Sequence, residues 1–381
     1  MKLTSRLLTL LLCLGLLIAI PMHARAKSKG SGYTQTNLIS DIPGLAEVTD
    51  PNLLNPWGLA FFPGLSPFWI NENNAGFSAL YFADAVPFPG LPLVTIPAPA
   101  APTGGTPTGI VADFFTGPGV FPIVPVSAPS DNFGSALFIF DTEDGTIEAW
   151  NETVPDILTA VIVVDNSQGG APTGAVYKGL ALGSTAANGP LLYATNFRSG
   201  KVDVFDSSFQ SPTPPLKGSF TDPKLQAGYA PFGIQNVNGQ IWVTYAQQDA
   251  PKHDPVNKPG HGFVDVFDTD GNLLTRFAQH GHLDSPWGVA MAPATFGQFA
   301  NDMLIGNFGD GVINVFDPTS SKWLGAVTGT DGKPLVNSGL WSLTFGGALN
   351  SNGTASSPNT LFFSAGLNDE ADGLFGTIVP Q

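Results

Sequence analysis

A short phrase built around one glycine recurs six times along the 381 residues and limits the folds open to this chain. It reads NPWGLAF at its first occurrence, from Asn55, and PWGVAMA at its fifth, from Pro286. The glycine, replaced by serine in the last copy, occupies these positions: Gly58, Gly109, Gly179, Gly233, Gly288 and Ser342. Successive copies lie 51, 70, 54, 55 and 54 residues apart. A unit of this length repeated in this way predicts a radial array of equivalent units.

Each repeat contains short apolar segments separated by polar turns. Examples are LYATNFRSGKVDVFD, residues 192–206, and MLIGNFGDGVINVFDP, residues 303–318. The segment PPLKGSF, residues 214–220, is expected to be a further strand of the third repeat. Alternating β-branched and aromatic residues between Gly, Asn and Asp clusters indicate strands joined by tight hairpins. Four short strands in each repeat, without a convincing amphipathic helix, predict an all-β fold: a six-bladed β-propeller of four-stranded blades.

The two ends of the chain indicate how the ring closes. The last repeat lacks a fourth strand, whereas a strand-like segment, Tyr33 to Ser40, precedes the first repeat. We therefore expect the N-terminal strand to complete the last blade and remove its free edge. The expected organisation is a single propeller domain over residues 27–381. The long interval before Gly179 predicts a longer strand and loop over Thr153 to Pro172.

The first 26 residues have the pattern of a bacterial export signal. Lys2 and Arg6 precede an apolar run, Leu7 to Ile20, and Ala24-Arg25-Ala26 offers a cleavage site. The run is too short to span a membrane, although an uncleaved anchor is the alternative. Cleavage after Ala26 would remove Cys13, the only cysteine, and predicts a secreted or periplasmic protein without a disulfide or a membrane span.

Composition excludes several classes of partner. The formal net charge is −15, which disfavours binding to nucleic acid and to anionic lipid. With 45 Gly and 34 Pro the chain is rich in turns, yet 43% hydrophobic and 11% aromatic residues exclude a disordered chain. We expect a monomer that binds a small molecule, a glycan or a protein.

The repeated phrases resemble known propellers. The combination of LYATN, a glycine turn and VDVFD is similar to NHL-type repeats. More specifically, DPNLLNPWGLA, GFVDVFDTDGNLL and GLNDEADGLFG resemble a family of secreted bacterial propeller proteins of unassigned function. That resemblance covers nearly the whole chain after residue 32. It implies the propeller fold and does not imply a reaction.

Propeller topology places the residue before each repeated glycine on one face, together with polar hairpin tips such as Glu143. Four of the six residues before the glycine are aromatic, and the other two are Thr108 and Lys178. The candidate ligand-binding residues on this face are Trp57, Phe232, Trp287, Trp341, Asn196 and Asn307. The rings could form a stacking platform for a sugar, or they could pack between blades.

A second candidate site is the acidic tip GLNDEADG. Its oxygen-bearing residues are Asn368, Asp369, Glu370 and Asp372. They could bind Ca²⁺ as a cofactor, or they could serve only as turn residues. The histidines His253, His261, His280 and His282 fall within 30 residues of one another. The pair His280 and His282, with Asp284, could bind a transition metal, but exposed loop histidines are the alternative.

Two functional classes follow. The first is a binding or scaffold module that acts through the face described above. The second is a metal-dependent hydrolase or lactonase, because the repeat logic is similar to that of the six-bladed gluconolactonase and SMP-30 enzymes. That resemblance implies metal held by Glu, Asn and Asp at the starts of inner strands. The matching positions here supply Asn55 but otherwise Pro, Tyr, Ser and Gly. A general base would have to come from the hairpin tips, so the sequence favours binding.

Overall fold

The computed structural model of the chain describes residues 32–115, 117, 119–168 and 173–381. The export signal expected over residues 1–26 lies outside this part. Within the described residues, no helix combines the length and the apolar character that crossing a bilayer requires.

Short strands account for nearly all the regular structure. The first two are β1 (Tyr33–Ser40) and β2 (Val48–Thr49). Blade 1 contains β3 (Pro56–Ala60), β4 (Phe68–Glu72), β5 (Phe77–Tyr81) and β6 (Leu93–Thr95), followed by a small hairpin of β7 (Pro97–Ala98) and β8 (Ala101–Gly104). Blade 2 contains β9 (Pro107–Ala112), β10 (Phe138–Thr142), β11 (Thr146–Trp150) and β12 (Val161–Asp165). Blade 3 contains β13 (Tyr177–Thr185), β14 (Gly189–Asn196) and β15 (Lys201–Asp206).

The remaining blades follow the same order. Blade 4 contains β16 (Tyr229–Val237), β17 (Gln240–Gln247), β18 (Phe263–Phe267) and β19 (Leu273–Gln279). Blade 5 contains β20 (Pro286–Met291), β21 (Met303–Asn307), β22 (Ile313–Phe316) and β23 (Trp323–Ala326), with a 3₁₀ turn over Gly297–Phe299. Blade 6 contains β24 (Leu340–Phe345), β25 (Leu361–Gly366) and β26 (Asp372–Pro380), and the four-residue turn α1 (Leu367–Glu370) joins the last two.

The blades form a closed ring. The innermost strands β3, β9, β13, β16, β20 and β24 each contact the next in turn, and β24 contacts β3. Strand β1 pairs antiparallel with β26, from Tyr33 opposite Pro380 to Ser40 opposite Leu374. The predicted six-bladed β-propeller, closed by the N-terminal strand, is therefore confirmed. Strand β2 adds to the outer edge of this last blade in parallel with β1.

Two local expectations were wrong. The segment 214–220 is not a strand, because Pro214 and Pro215 lack the N–H groups that a strand ladder needs, and its Gly218 N–H instead donates to the Asp270 carbonyl at 2.8 Å. In the described part of the segment Thr153 to Pro172, residues 153–168, the extra residues of blade 2 do not form a longer strand, since β12 has five residues. They lie mainly in the long connection between β9 and β10.

The repeated glycine is explained by how closely the inner strands approach. A Cβ added to Gly58 would lie 2.6 Å from the Thr108 carbonyl oxygen, and one added to Gly288 would lie 2.5 Å from that of Trp341. Polar side chains on the second strands bridge the same gaps. The Thr195 hydroxyl, for example, donates to the Phe232 carbonyl of the next blade at 2.7 Å. Neighbouring blades are thus tied together along the channel.

Candidate functional site

Six aromatic side chains close the channel at the end where the inner strands begin, which we call the top face. This aromatic plug consists of Trp57, Phe197, Phe232, Trp287, Phe308 and Trp341. The rings of Trp57 and Trp341 stack with centroids 3.5 Å apart, and Phe308 stacks on Trp341 at 4.1 Å. All four aromatic residues predicted from the sequence are therefore together, but their faces contact one another. Their burial favours the packing alternative.

Lys178 lies at the start of β13, at the edge of the aromatic plug. Its side chain is 1% exposed, and its Nζ lies 5.1 Å from the ring centroid of Trp57 and 5.8 Å from that of Phe197. The indole N–H of Trp287 donates to the Lys178 carbonyl at 2.8 Å. A buried ammonium needs compensating charge, and aromatic faces supply only part of it.

Carboxylates from two other blades supply the remaining negative charge that the buried Lys178 ammonium needs. The Lys178 ammonium forms an ion pair with Glu143, from the turn between β10 and β11, and lies 3.4 Å from Oδ1 of Asp254, in the loop after β17. Asn73 donates to the other oxygen of Glu143 at 3.0 Å, which fixes that carboxylate. Burial lowers the pKa of Lys178, but the two carboxylates outweigh this and raise it above its ordinary value. Lys178 is therefore charged at neutral pH.

His253 extends the cluster toward solvent. Its Nδ1 lies 2.8 Å from Oδ1 of Asp254 and 4.0 Å from Oε1 of Glu143. The hydrogen bond to Asp254, opposed by burial and assisted by Glu143, raises the pKa of His253 above 6.5. The same bond, together with Lys178, lowers the pKa of Asp254 to about 2. The side chains of His253 and Asp254 are 37% and 61% exposed, so this edge of the cluster is open.

Glu370 reaches the cluster from blade 6. The turn α1 places Asn368, Asp369 and Glu370 in the left-handed region, with φ of 53°, 54° and 68°. This local conformation directs Glu370 to Asn55, whose amide donates to it at 2.7 Å, while Asn55 accepts from the indole N–H of Trp341 at 2.9 Å. Burial raises the pKa of Glu370 above its ordinary value, although Lys178 and the Asn55 bond oppose this.

The other members of the predicted metal site point elsewhere. Asn368 and Asp369 are exposed, and Asn368 donates to Asp372 at 2.6 Å. Asp372 also interacts with the carboxyl group of Asp41, the residue that follows β1. Glu370 is thus the one member of this tip that joins the channel mouth.

The predicted asparagines and histidines hold loops. The Asn196 amide donates to Asp203 at 2.9 Å, and that of Asn307 donates to the His282 carbonyl at 2.8 Å. His280 lies 2.8 Å from the Gly260 carbonyl through its Nδ1, whereas the His282 ring stacks on Trp323 with centroids 3.7 Å apart. The two rings therefore have separate partners.

One group of donors suits a metal ion. Ligand atoms of Glu143, His253 and Asp254 all lie within 4.8 Å of one another. Such a mixed nitrogen and oxygen set is typical of Zn²⁺. The Lys178 ammonium, however, contacts two of the three residues. A metal would have to displace this cation.

Sequence reasoning named Glu143 as a hairpin tip and His253 as a loop histidine, but it missed that they meet at Lys178. The available signal was Lys178 itself, a charged residue at a repeat position that is otherwise mostly aromatic. Asp254, which lies in the loop between β17 and β18, carried no repeat signal.

Comparison with known proteins identifies relatives. No protein-family model matches the chain. The uncharacterized protein L690 of Acanthamoeba polyphaga mimivirus is 30% identical over 348 residues, which cover 90% of this chain and 84% of L690. The uncharacterized protein R648 of the same virus is 28% identical over 351 residues, which cover 90% of this chain and 78% of R648. These viral relatives do not support the bacterial origin that the resemblance implied.

Among solved structures, the soluble aldose sugar dehydrogenase of Escherichia coli is similar with a TM-score of 0.49 and 13% identity, over 92% of this chain and all of that chain. A glucose dehydrogenase is similar with a TM-score of 0.49 and 13% identity, over 90% of this chain and 98% of that chain.

Proposed function

The chain belongs to the same protein family as the mimivirus protein L690, and we propose that it is a binding module whose top face binds a cationic ligand at the channel mouth. The observation that supports this is a cluster of three carboxylates from three blades around the buried Lys178 ammonium: Glu143 and Asp254 form ion pairs with it, and Glu370 interacts with it electrostatically. The carboxylates outnumber Lys178, so the mouth retains negative charge.

The exposed edge of the cluster determines what can bind. Lys178 is sealed, whereas the side chain of Asp254 is 61% exposed and that of His253 is 37% exposed. An amine or a guanidinium of a peptide or protein would meet carboxylate oxygens at this edge. Such charge-assisted hydrogen bonds are stronger than those between neutral groups.

The aromatic residues have a supporting role in this proposal. Trp57 and Trp287 hold Lys178 in place, and Phe232 and Trp341 pack beneath them. Because these rings use their faces on one another, the geometry favours a charged ligand over a glycan that stacks on the plug. Asn196 and Asn307 contribute by fixing the hairpin tips near the mouth.

Titration calorimetry with the tripeptide Lys-Lys-Lys tests the proposal, and the same peptide with acetylated side chains serves as the neutral reference. We expect binding of Lys-Lys-Lys that weakens with added salt and at least fivefold weaker binding in Asp254→Asn. Asp331→Asn is the matched control, because the Asp331 side chain is also 61% exposed but lies away from the mouth. Equal affinity for the acetylated peptide, or unchanged affinity in Asp254→Asn, would reject a cationic site.

A metal-dependent hydrolase is the second candidate, favoured by the donor set of Glu143, His253 and Asp254. A bound divalent ion would supply Lewis acidity there, and Glu370, with its raised pKa, would be suited to proton transfer.

The acidic tip, including Asp369 and Asp372, remains a proposed Ca²⁺ site. Elemental mass spectrometry of the purified chain, with melting curves before and after chelator, tests both. One stoichiometric metal whose removal lowers the melting temperature would justify assays with lactones and esters.

We also propose that the chain is exported with cleavage after Ala26. The support is the charged start, the apolar run Leu7 to Ile20 and the Ala24-Arg25-Ala26 site. N-terminal sequencing of the protein released by a bacterial host should begin at Lys27. A product that begins at Met1 and stays with the membrane fraction would indicate an uncleaved anchor.

A further inference from the structure

We propose that the bottom face, opposite the aromatic plug, contains a second ligand site that takes a neutral, apolar small molecule. The inner strands end around a pocket of about 600 Å³. Its walls include Leu59, Phe61, Val111, Phe114, Leu182 and Gln235. This site is independent of the carboxylate cluster at the top face.

The pocket has a closed floor. One residue after each repeated glycine or serine, every inner strand carries an aliphatic residue: Leu59, Ile110, Leu180, Ile234, Val289 and Leu343. These residues surround the waist of the channel, and we call them the collar. The cavity that remains at the collar is only about 30 Å³, which is room for roughly one water molecule. A ligand that enters from the bottom therefore stops at the collar.

The lining is uncharged and mostly apolar, and its polar members are neutral: Ser184, Gln235, Asn236, Thr269 and Thr344. Among its described residues there is no Asp, Glu, Lys, Arg or His, although the whole chain has a net charge of −15. A charged ligand would lose its hydration here without gaining a partner of opposite charge, which is costly. The lining thus selects for neutral molecules.

Two side chains at the pocket support occupation by a molecule with a ring. Phe114 is 60% exposed and makes a T-shaped contact with Phe62 at 5.1 Å between centroids, so much of its ring surface remains accessible. Gln235 is exposed, and its amide can supply one directional hydrogen bond, whereas the Asn236 amide is already used in a bond to the Leu182 carbonyl at 2.7 Å. An aromatic or alicyclic ligand with a single polar group matches this arrangement.

The dimensions favour a small molecule over a protein partner. Ligand pockets typically enclose about 300–1,000 Å³ and are mostly apolar with a few placed polar groups. A stable interface between two proteins instead buries about 800 Å² on each partner, which a recessed pocket bounded by a floor does not offer.

Fluorescence titration with N-phenyl-1-naphthylamine, a neutral apolar probe, tests the site. We expect saturable binding of one probe per chain. Ser184→Trp places an indole in the pocket from an exposed lining position and should weaken binding at least tenfold. Ser208→Trp, at an exposed turn outside the pocket, is the matched control and should bind like the unmodified chain.

A second pair of variants tests the charge preference without changing size. Gln235→Glu introduces a carboxylate at the lining and should weaken binding at least fivefold, whereas Gln210→Glu, which is exposed elsewhere, should not. Melting curves establish that each variant is folded. Non-saturating fluorescence, or unchanged affinity in both Ser184→Trp and Gln235→Glu, would overturn the proposal. So would a dimer that the probe dissociates, since the pocket would then be an interface between copies.

Discussion

The hydrogen bond between His253 and Asp254 shifts the pKa of both residues. This bond, together with the Lys178 ammonium, lowers the pKa of Asp254 to about 2. Because that value is below the ordinary 3.8, Asp254 stabilises the folded state above pH 3.8 and loses this contribution as the pH falls toward 2. His253 has the opposite sign. Its raised pKa adds stability below pH 6.5, and this is lost as the pH rises through the folded value.

An NMR titration of His253 checks this arrangement. We expect a pKa above 6.5, because Asp254 stabilises the imidazolium, and a lower value in Asp254→Asn. Asp331→Asn should leave the titration unchanged. Loss of the His253 charge also makes the channel mouth more negative, so affinity for Lys-Lys-Lys should increase as the pH rises through this pKa. Identical titrations in Asp254→Asn and the unmodified chain would exclude the pairing.

Glu72, at the end of β4, is a second residue whose ionisation affects the stability of the folded state. It is fully buried, and neither carboxylate oxygen has a hydrogen-bond partner among the described residues. Burial, together with Asp50 and Asp41, raises its pKa well above 4.5. The folded state therefore loses stability as the pH rises from 4.5 toward the folded pKa.

Glu72→Gln keeps the shape and removes the ionisation. We expect the free energy of unfolding to increase at pH 8 by at least about 1 kcal/mol, the equivalent of one pKa unit. At pH 4 the two proteins should differ little. Glu152→Gln, at an exposed position, serves as the control. Urea denaturation at the two pH values measures both variants, and equal stability at pH 8 would show that Glu72 is solvated.

At the scale of the element, the inner strand depends on its glycine. A methyl group on Gly233 would overlap the Trp287 carbonyl of the next blade and lie 2.9 Å from the Thr244 hydroxyl. Gly233→Ala should therefore destabilise the protein by about 1–3 kcal/mol, as overpacking in a core does. Ser342 is the equivalent residue of blade 6 and already carries a Cβ, so Ser342→Ala should cost far less. Denaturant midpoints compare the two, and a neutral Gly233→Ala would show that the blades can move apart.

This spacing also explains what the sequence could predict. The glycine recurs because most pairs of inner strands approach so closely that a Cβ would overlap the next blade, as at Gly58, Gly109, Gly233 and Gly288, so the repeat revealed the strands and the ring. The residues of the candidate site do not recur from one repeat to the next. Asp254 lies in a loop of blade 4 that is not part of the repeated sequence phrase. Glu370 reaches Asn55 only because of the left-handed backbone conformation of its turn. The sequence repeat therefore could not predict that these carboxylates lie close to Lys178.

For the whole molecule, ring closure depends on β1. Its side chains Tyr33, Leu38 and Ile39 are buried, and the Tyr33 hydroxyl donates to the Phe296 carbonyl in blade 5 at 3.1 Å. Burial of three such side chains contributes about 5–9 kcal/mol, which is comparable to the total stability of an ordinary domain.

A chain that begins at Asp41 should consequently lose its cooperative melting transition, whereas one that begins at Lys27 should keep it. Adding a synthetic peptide of residues 33–40 should restore part of the lost melting temperature, because the vacant edge of β26 is a template for that strand. Calorimetry measures all three samples. If the chain that begins at Asp41 melts like the longer one, β1 does not close the ring.

The pairing of β1 with β26 also sets the order of events during synthesis. Tyr33 and Pro380 are opposite each other, although they are 347 positions apart along the chain. At about 5–20 residues per second, a ribosome makes the second strand roughly 20 to 70 s after the first. The earliest strand must remain without its partner throughout that time, and exposed edges of this kind promote aggregation. If the chain is exported during translation, its blades form one after another as they emerge on the far side of the membrane, and the ring closes only when β26 arrives there.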